Sequence, residues 1–92
     1  MAAAKNKSSS WFLIDQVVVD TDGVRIKTGK APSKCSSDSF RLHKGKNGMT
    51  SSLLNRALAN LLLAAEATRE VQVTYQDNSS KCYVKSVKVR FD

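Results

Sequence analysis

The sequence has few of the residues that most catalytic and metal sites require. It contains one histidine, His43, and two cysteines, Cys35 and Cys82, without the spacing of a zinc site. No Gly-x-Ser-x-Gly elbow accompanies its serines. Neither Gly29–Lys30 nor Gly45–Lys46 completes the phosphate-binding pattern Gly-x-x-x-x-Gly-Lys-Ser/Thr. We therefore predict a protein that is not an enzyme and has no metal or cofactor.

Long apolar segments are also missing. The longest one, residues 57–67, is interrupted by Asn60 and Glu66, and it is shorter than the about 18–20 residues that cross a bilayer. Residues 1–10 have basic residues but no apolar stretch, so they are not a signal peptide. They are either a native cytoplasmic N-terminus or a leader that replaces an export signal. The corresponding locations are the cytoplasm or, after export, the periplasm or the extracellular space.

Acidic residues are outnumbered by basic ones. Fifteen Lys and Arg stand against eight Asp and Glu, for a net charge of +7. This excess favours anionic partners but does not identify one, and it is also typical of a solvated basic surface. We expect a glycan or another acidic ligand, with nucleic acid as an alternative.

Five segments have the composition and alternation of β-strands: residues 11–20, 24–28, 39–43, 71–75 and 81–92. The turn signal Thr21–Gly23 predicts a hairpin between the first two. In the last segment the apolar phase changes at Lys85–Ser86, which predicts a β-bulge because a period-2 strand changes faces only by inserting a residue.

Residues 50–68 have the apolar spacing of one long helix, with Thr50 or Ser51 as its N-cap. The face predicted to pack on the sheet contains Leu54, Leu58, Leu61, Leu62 and Ala65. The order is therefore β-β-β-α-β-β, an α+β fold with the helix between strands three and four. This order is typical of the five-stranded, OB-like curved sheet or small barrel. We assign residues 1–10 to a disordered polar tail and 11–92 to one OB-like domain.

One flank of the helix is less polar than a solvent-facing surface should be. It contains Arg56, Ala59, Asn60 and Leu63. We predict that this flank is the interface of a homo-oligomer. The alternative is a single exposed leucine, which is ordinary for a monomer.

The two cysteines are far apart in the sequence, Cys35 in a loop and Cys82 at the start of the last strand. A disulfide between them would stabilise a small domain by about 3–4 kcal/mol on the chain-entropy model. The alternative is a pair of reduced cysteines packed as small apolar residues. We predict the disulfide.

Basic residues on two predicted strands share their faces with few apolar residues. Arg25 and Lys27 lie on the solvent side of the second strand, while Lys81, Tyr83 and Lys85 share one side of the last strand. If these strands meet, the five residues form one charged ligand-binding surface with an aromatic ring in it. The other strand aromatics, Phe40, Tyr75 and Phe91, lie on apolar phases and are predicted in the core.

The second half of the chain, Leu53 to Val89, combines a Leu/Ala-rich helix, the strand Val71–Tyr75, a polar turn and the strand Lys81–Val84 continued by Ser86–Val89. This layout resembles small exported bacterial proteins with an OB-type barrel, especially the B subunits of AB-type toxins of the subtilase-cytotoxin and typhoid-toxin kind. The resemblance implies a disulfide, a ring of subunits with helices lining its centre, and glycan recognition on the side of the barrel.

Three functions remain open at this point. The first is an exported, glycan-binding protein of the toxin-subunit type. The second is a basic module for single-stranded nucleic acid, and the third is a small phage or mobile-element protein that binds an acidic protein surface. Fold analogy alone does not decide between them.

Overall fold

A computed structural model describes residues 6–21, 23–29, 35, 39–78 and 81–90 of the chain. Within these ranges there are six strands and one helix. They are β1 (Asn6–Ser8), β2 (Gln16–Asp20), β3 (Gly23–Lys27), β4 (Ser39–His43), α1 (Ser51–Glu66), β5 (Val71–Asn78) and β6 (Lys81–Val89). Phe91, predicted in the core, lies outside the described residues.

The strands form one mixed sheet in the order β1-β5-β6-β4-β3-β2. Strand β4 is parallel to β6, and the other neighbouring strands are antiparallel. The predicted α+β class is confirmed, with the helix between the third and fourth of the predicted strands. The prediction of five strands is wrong, because β1 adds a sixth. The strands do not close into a barrel, and β1 and β2 are the two edges.

The extra strand lies in the segment predicted as a disordered tail. Asn6–Ser8 pairs with the outer edge of β5, where Lys7 is the register partner of Tyr75. The amide of Ser9 continues the ladder to the carbonyl of Val73 at 2.9 Å. Polar composition did not prevent pairing, since an edge strand needs mainly backbone hydrogen bonds to its neighbour. Residues 1–5 lie outside the described residues.

Only the second half of the first predicted strand, residues 11–20, pairs with β3 as a strand, and this half is β2. Phe12 forms an isolated bridge with Val71, with N–O distances of 2.9 and 2.8 Å in the two directions. The chain then turns, and the amide of Asp15 donates to the carbonyl of Lys27 at 2.9 Å. The segment between β1 and β2 therefore links the two edges of the sheet.

The predicted hairpin joins β2 to β3. Asp20 and Gly23 are its last register pair, and the amide of Gly23 donates to Asp20 Oδ1 at 3.1 Å. Gly23 has φ of 143°, and a Cβ at this position would collide with the carbonyl oxygen of Leu42 on β4. Glycine is therefore required here both by conformation and by space.

The predicted bulge lies in β6. Thr74 pairs with Ser86, whereas the next residue of β5, Tyr75, pairs with Val84, so Lys85 is the inserted residue. Cys82 and Val84 are buried before the bulge. The inserted residue explains why the apolar positions change from even to odd numbers.

The helix begins after Thr50, whose Oγ1 accepts a hydrogen bond from the amide of Leu53 at 3.1 Å. Its packing face agrees with the prediction at Leu54, Leu58 and Leu61, which pack on the core, and differs at Leu62 and Ala65. Ala57, Leu61 and Ala64 are buried, whereas Leu62 is 49% exposed. Leu54 and Leu58 are half-buried, and Ala65 is exposed. The buried residues Ala57, Leu61 and Ala64 form one line along the helix, and a helix turns about 100° per residue, so that Leu62 and Ala65 point away from that line.

The core lies between the helix and the inward face of the sheet. Phe40 is at its centre, with ring centroids 5.5 Å from Phe12 and 5.0 Å from Tyr75. Cys35 and Cys82 form a disulfide with a Cα–Cα distance of 5.4 Å across 47 residues, which confirms the predicted pairing. Both cysteines are buried, so the bond ties the loop before β4 to the core.

Candidate functional site

The candidate site lies on the outer face of the sheet, which is opposite to the buried side chains. Register partners stand side by side and point to the same face. One such row crosses the whole sheet, and its members in order are Val18, Arg25, Arg41, Tyr83, Gln76 and Asn6. We call its central part, Arg25, Arg41 and Tyr83, the arginine–tyrosine row.

The two arginines of this row are direct partners on β3 and β4. Like charges in directly opposed positions destabilise a sheet. The positive charge of Arg25 is partly balanced by Asp20, whose Oδ2 lies 3.6 Å from the Nε of Arg25. Among the described residues no carboxylate forms a salt bridge with Arg41.

Both guanidinium groups also have an unsatisfied donor. The Nε atoms of Arg25 and Arg41 are buried and have no hydrogen-bond partner. A buried donor without an acceptor costs about 1–3 kcal/mol, and more when it is charged. An anion placed between the two side chains would offset their repulsion, since guanidinium binds carboxylate and phosphate in a bidentate manner.

Tyr83 is held at the end of the row by the loop after β4. The side-chain amide of Asn47 donates to the carbonyl of Tyr83 at 3.0 Å and to Asn6 Oδ1 at 2.9 Å. The Nζ of Lys46 lies 5.9 Å from the centroid of the tyrosine ring. The His43 ring meets it edge-on, with centroids 6.2 Å apart. A half-buried aromatic ring is thus positioned beside Arg41, with Arg25 one strand further along the row and Lys46 near the ring.

The structure brings four of the five predicted ligand-binding residues to one face. Arg25 and Tyr83 are in the row itself. Lys27 and Lys81 each lie two residues away along the same strands and therefore face the same side. Lys85 does not belong to this group, because the bulge separates it from the alternation of Tyr83.

Lys85 lies instead in a cleft between α1 and β6 that encloses about 190 Å³. We call this cleft the helix groove, and define it by Leu53, Arg56, Ala57, Asn60, Lys85 and Val87. The flank predicted as an oligomer interface is thereby divided. Arg56 and Asn60 line the helix groove, whereas Ala59 and Leu63 are exposed beside it, Leu63 by 54%.

Sequence reasoning missed Arg41 and Lys46 as members of the site. Residues 39–43 alternate, which places Arg41 outside, but nothing in the sequence states that this strand lies between β3 and β6. Lys46 was missed because its position near Tyr83 depends on the conformation of the loop after β4. In that loop Asn47 has a φ of 53° and its side chain bonds to the carbonyl of Tyr83. These are long-range relationships that strand patterns alone do not determine.

Comparison of the chain with protein-family models, with curated proteins and with solved structures gave no match. Within the part of the chain that the structure describes, no helix is long and apolar enough to span a membrane.

Proposed function

We propose that the chain is a non-enzymatic binding module that binds an acidic glycan on the arginine–tyrosine row. The observation that supports this proposal most is the direct opposition of Arg25 and Arg41 on β3 and β4, where no carboxylate of the described residues pairs with Arg41. A carboxylate or sulfate of the ligand would accept from both guanidinium groups. The adjacent ring of Tyr83 would stack against the apolar face of the neighbouring sugar.

A glycan accounts for this surface better than single-stranded nucleic acid does. Proteins that bind single strands usually stack successive bases on several aromatic side chains along a basic groove. The row contains one aromatic residue, Tyr83, and its next neighbours across the sheet are Arg41 and Gln76. One aromatic ring beside one anion-binding position suits one acidic sugar residue and the sugar residue next to it in the glycan.

Three further properties belong to the same proposal. An OB-like architecture is supported by the parallel pairing of β4 with β6 and by residues 9–15, which bond to β5 through Phe12 and to β3 through Asp15. An exported, oxidising location, secreted or periplasmic, is supported by the disulfide. Assembly as a homo-oligomer, as in the toxin B subunits that the layout resembles, is supported by the exposed Leu63.

The test is a glycan array containing neutral, carboxylated and sulfated glycans, probed with the labelled chain and two variants. Arg41→Gln removes the central charge of the row. Lys88→Gln removes an exposed charge of β6 outside the row and is the matched control. We expect binding to acidic glycans that Arg41→Gln abolishes and Lys88→Gln preserves.

A parallel titration uses a labelled oligonucleotide at two salt concentrations. Binding to nucleic acid with an affinity that falls steeply with salt, and without any glycan binding, would favour the nucleic-acid function instead. If neither ligand class binds above background, the proposal is wrong and an acidic protein surface becomes the better hypothesis.

A further inference from the structure

The helix groove is a second candidate binding site, because basic residues line a concave surface there. It is separate from the arginine–tyrosine row. Leu53, Arg56, Ala57 and Asn60 are spaced i, i+3, i+4 and i+7, so they form one stripe of α1. This stripe faces β6 at its bulge, where Lys85 lines the opposite wall.

The bulge has a chemical consequence at this groove. It inserts Lys85 into β6 beside α1, so that Lys85 and Arg56 both line the same cleft. β-Bulges often re-aim a side chain next to a binding site. No ion pair with either cation is present among the described residues, and no acidic side chain lines the groove there.

The floor of the groove is apolar. Ala57 is buried, and Leu53 and Val87 are half-buried. The volume of about 190 Å³ is smaller than the roughly 300–1,000 Å³ of pockets for drug-sized ligands. A ligand that satisfies both features has one anionic end for the two cations and a short apolar body for the floor.

We propose that the helix groove binds a small organic anion, namely a carboxylate on a short apolar chain. Arg56 and Lys85 bind the carboxylate, Asn60 donates a further hydrogen bond to it, and Leu53, Ala57 and Val87 contact the chain. Such a carboxylate occurs in a free short-chain acid and at the C-terminus of an apolar peptide. The site does not depend on the glycan proposal, since it shares no residue with the arginine–tyrosine row.

The experiment is an NMR titration of the ¹⁵N-labelled chain with sodium hexanoate, compared with hexylammonium chloride and 1-hexanol. We expect saturable shifts of the Leu53, Ala57 and Val87 amides with hexanoate alone. Arg56→Gln and Lys85→Gln should each weaken binding about tenfold, because each removes a charge-assisted hydrogen bond. Lys88→Gln is the matched control and should leave the affinity unchanged, as should Arg41→Gln.

Equal binding of 1-hexanol or hexylammonium would overturn the proposal, as would the absence of saturable shifts or unchanged affinity in both groove variants. N-acetyl-Ala-Leu-Leu with a free or an amidated C-terminus distinguishes the two sources. Tighter binding of the free peptide than of hexanoate assigns the site to a peptide C-terminus. Weaker binding assigns it to a free acid.

Discussion

Arg41 and Tyr83 are register partners across β4 and β6, the parallel pair of the described sheet. This pairing arises because β6 lies beside β4 in the sheet, on the side opposite to β3. The parallel pairing therefore places the Tyr83 ring next to Arg41, and through β4 in the same row as Arg25.

Removing the disulfide should strongly destabilise the fold. Cys35→Ala/Cys82→Ala should lower the free energy of unfolding by about 4 kcal/mol, since the bond closes a loop of 47 residues. Urea denaturation of the unmodified chain with and without reductant, beside the double variant, provides the measurement. A midpoint that does not respond to reductant would show that the bond does not stabilise the fold.

Two adjacent leucines of the helix should respond differently to truncation. Leu61 is fully buried, so Leu61→Ala should cost about 2–5 kcal/mol. Leu62 is 49% exposed, and Leu62→Ala should stay within about half a kilocalorie per mole, as surface substitutions usually do. Denaturation curves of both variants test the packing face, and equal losses would mean that its orientation is wrong.

The hairpin should depend on glycine at one position. Gly23→Ala should destabilise the chain by about 1–3 kcal/mol or more, because position 23 has a φ of 143° and no room for a Cβ beside Leu42. Gly29→Ala is the matched control, since a Cβ there meets no atom within 4 Å. The two thermal unfolding midpoints are compared, and the account requires a much lower one for Gly23→Ala.

The proposed self-association has a direct test by light scattering at micromolar concentration. If the flank with Leu63 is the interface, Leu63→Glu should dissociate the assembly, because each copy would bring a carboxylate into a desolvated contact. Leu62→Glu changes an equally apolar, exposed neighbour on another side of the helix and should leave the mass unchanged. A monomeric mass for the unmodified chain would remove the oligomer proposal.

Local patterns were sufficient for much of the fold. The alternation of residues 24–28 correctly places Val24 and Ile26 inside and Arg25 outside. The change of phase in the last strand predicts a bulge at Lys85–Ser86, where the structure has one. Both are properties of single strands, where side chains alternate with a period of two.

The remaining features depend on contacts between distant segments. The packing face of the helix was misjudged in part because leucines occupy several of its sides, so periodicity alone did not separate Leu61 from Leu62. Arg41 was missed because the position of β4 between β3 and β6 is a property of the sheet order. Strand β1 was missed because its residues have no apolar pattern and pair only through the backbone.

In the proposed function, Arg41 binds an anionic ligand although it stands directly opposite Arg25. The most direct measurement combines unfolding free energy and acidic-glycan affinity for Arg41→Gln. We expect this variant to be as stable as the unmodified chain or more stable without ligand, because the repulsion with Arg25 and the unsatisfied Nε donor are removed. We also expect the affinity to fall at least about tenfold, because a charge-assisted pair is lost. A variant that is less stable yet binds the glycan with unchanged affinity would contradict the account.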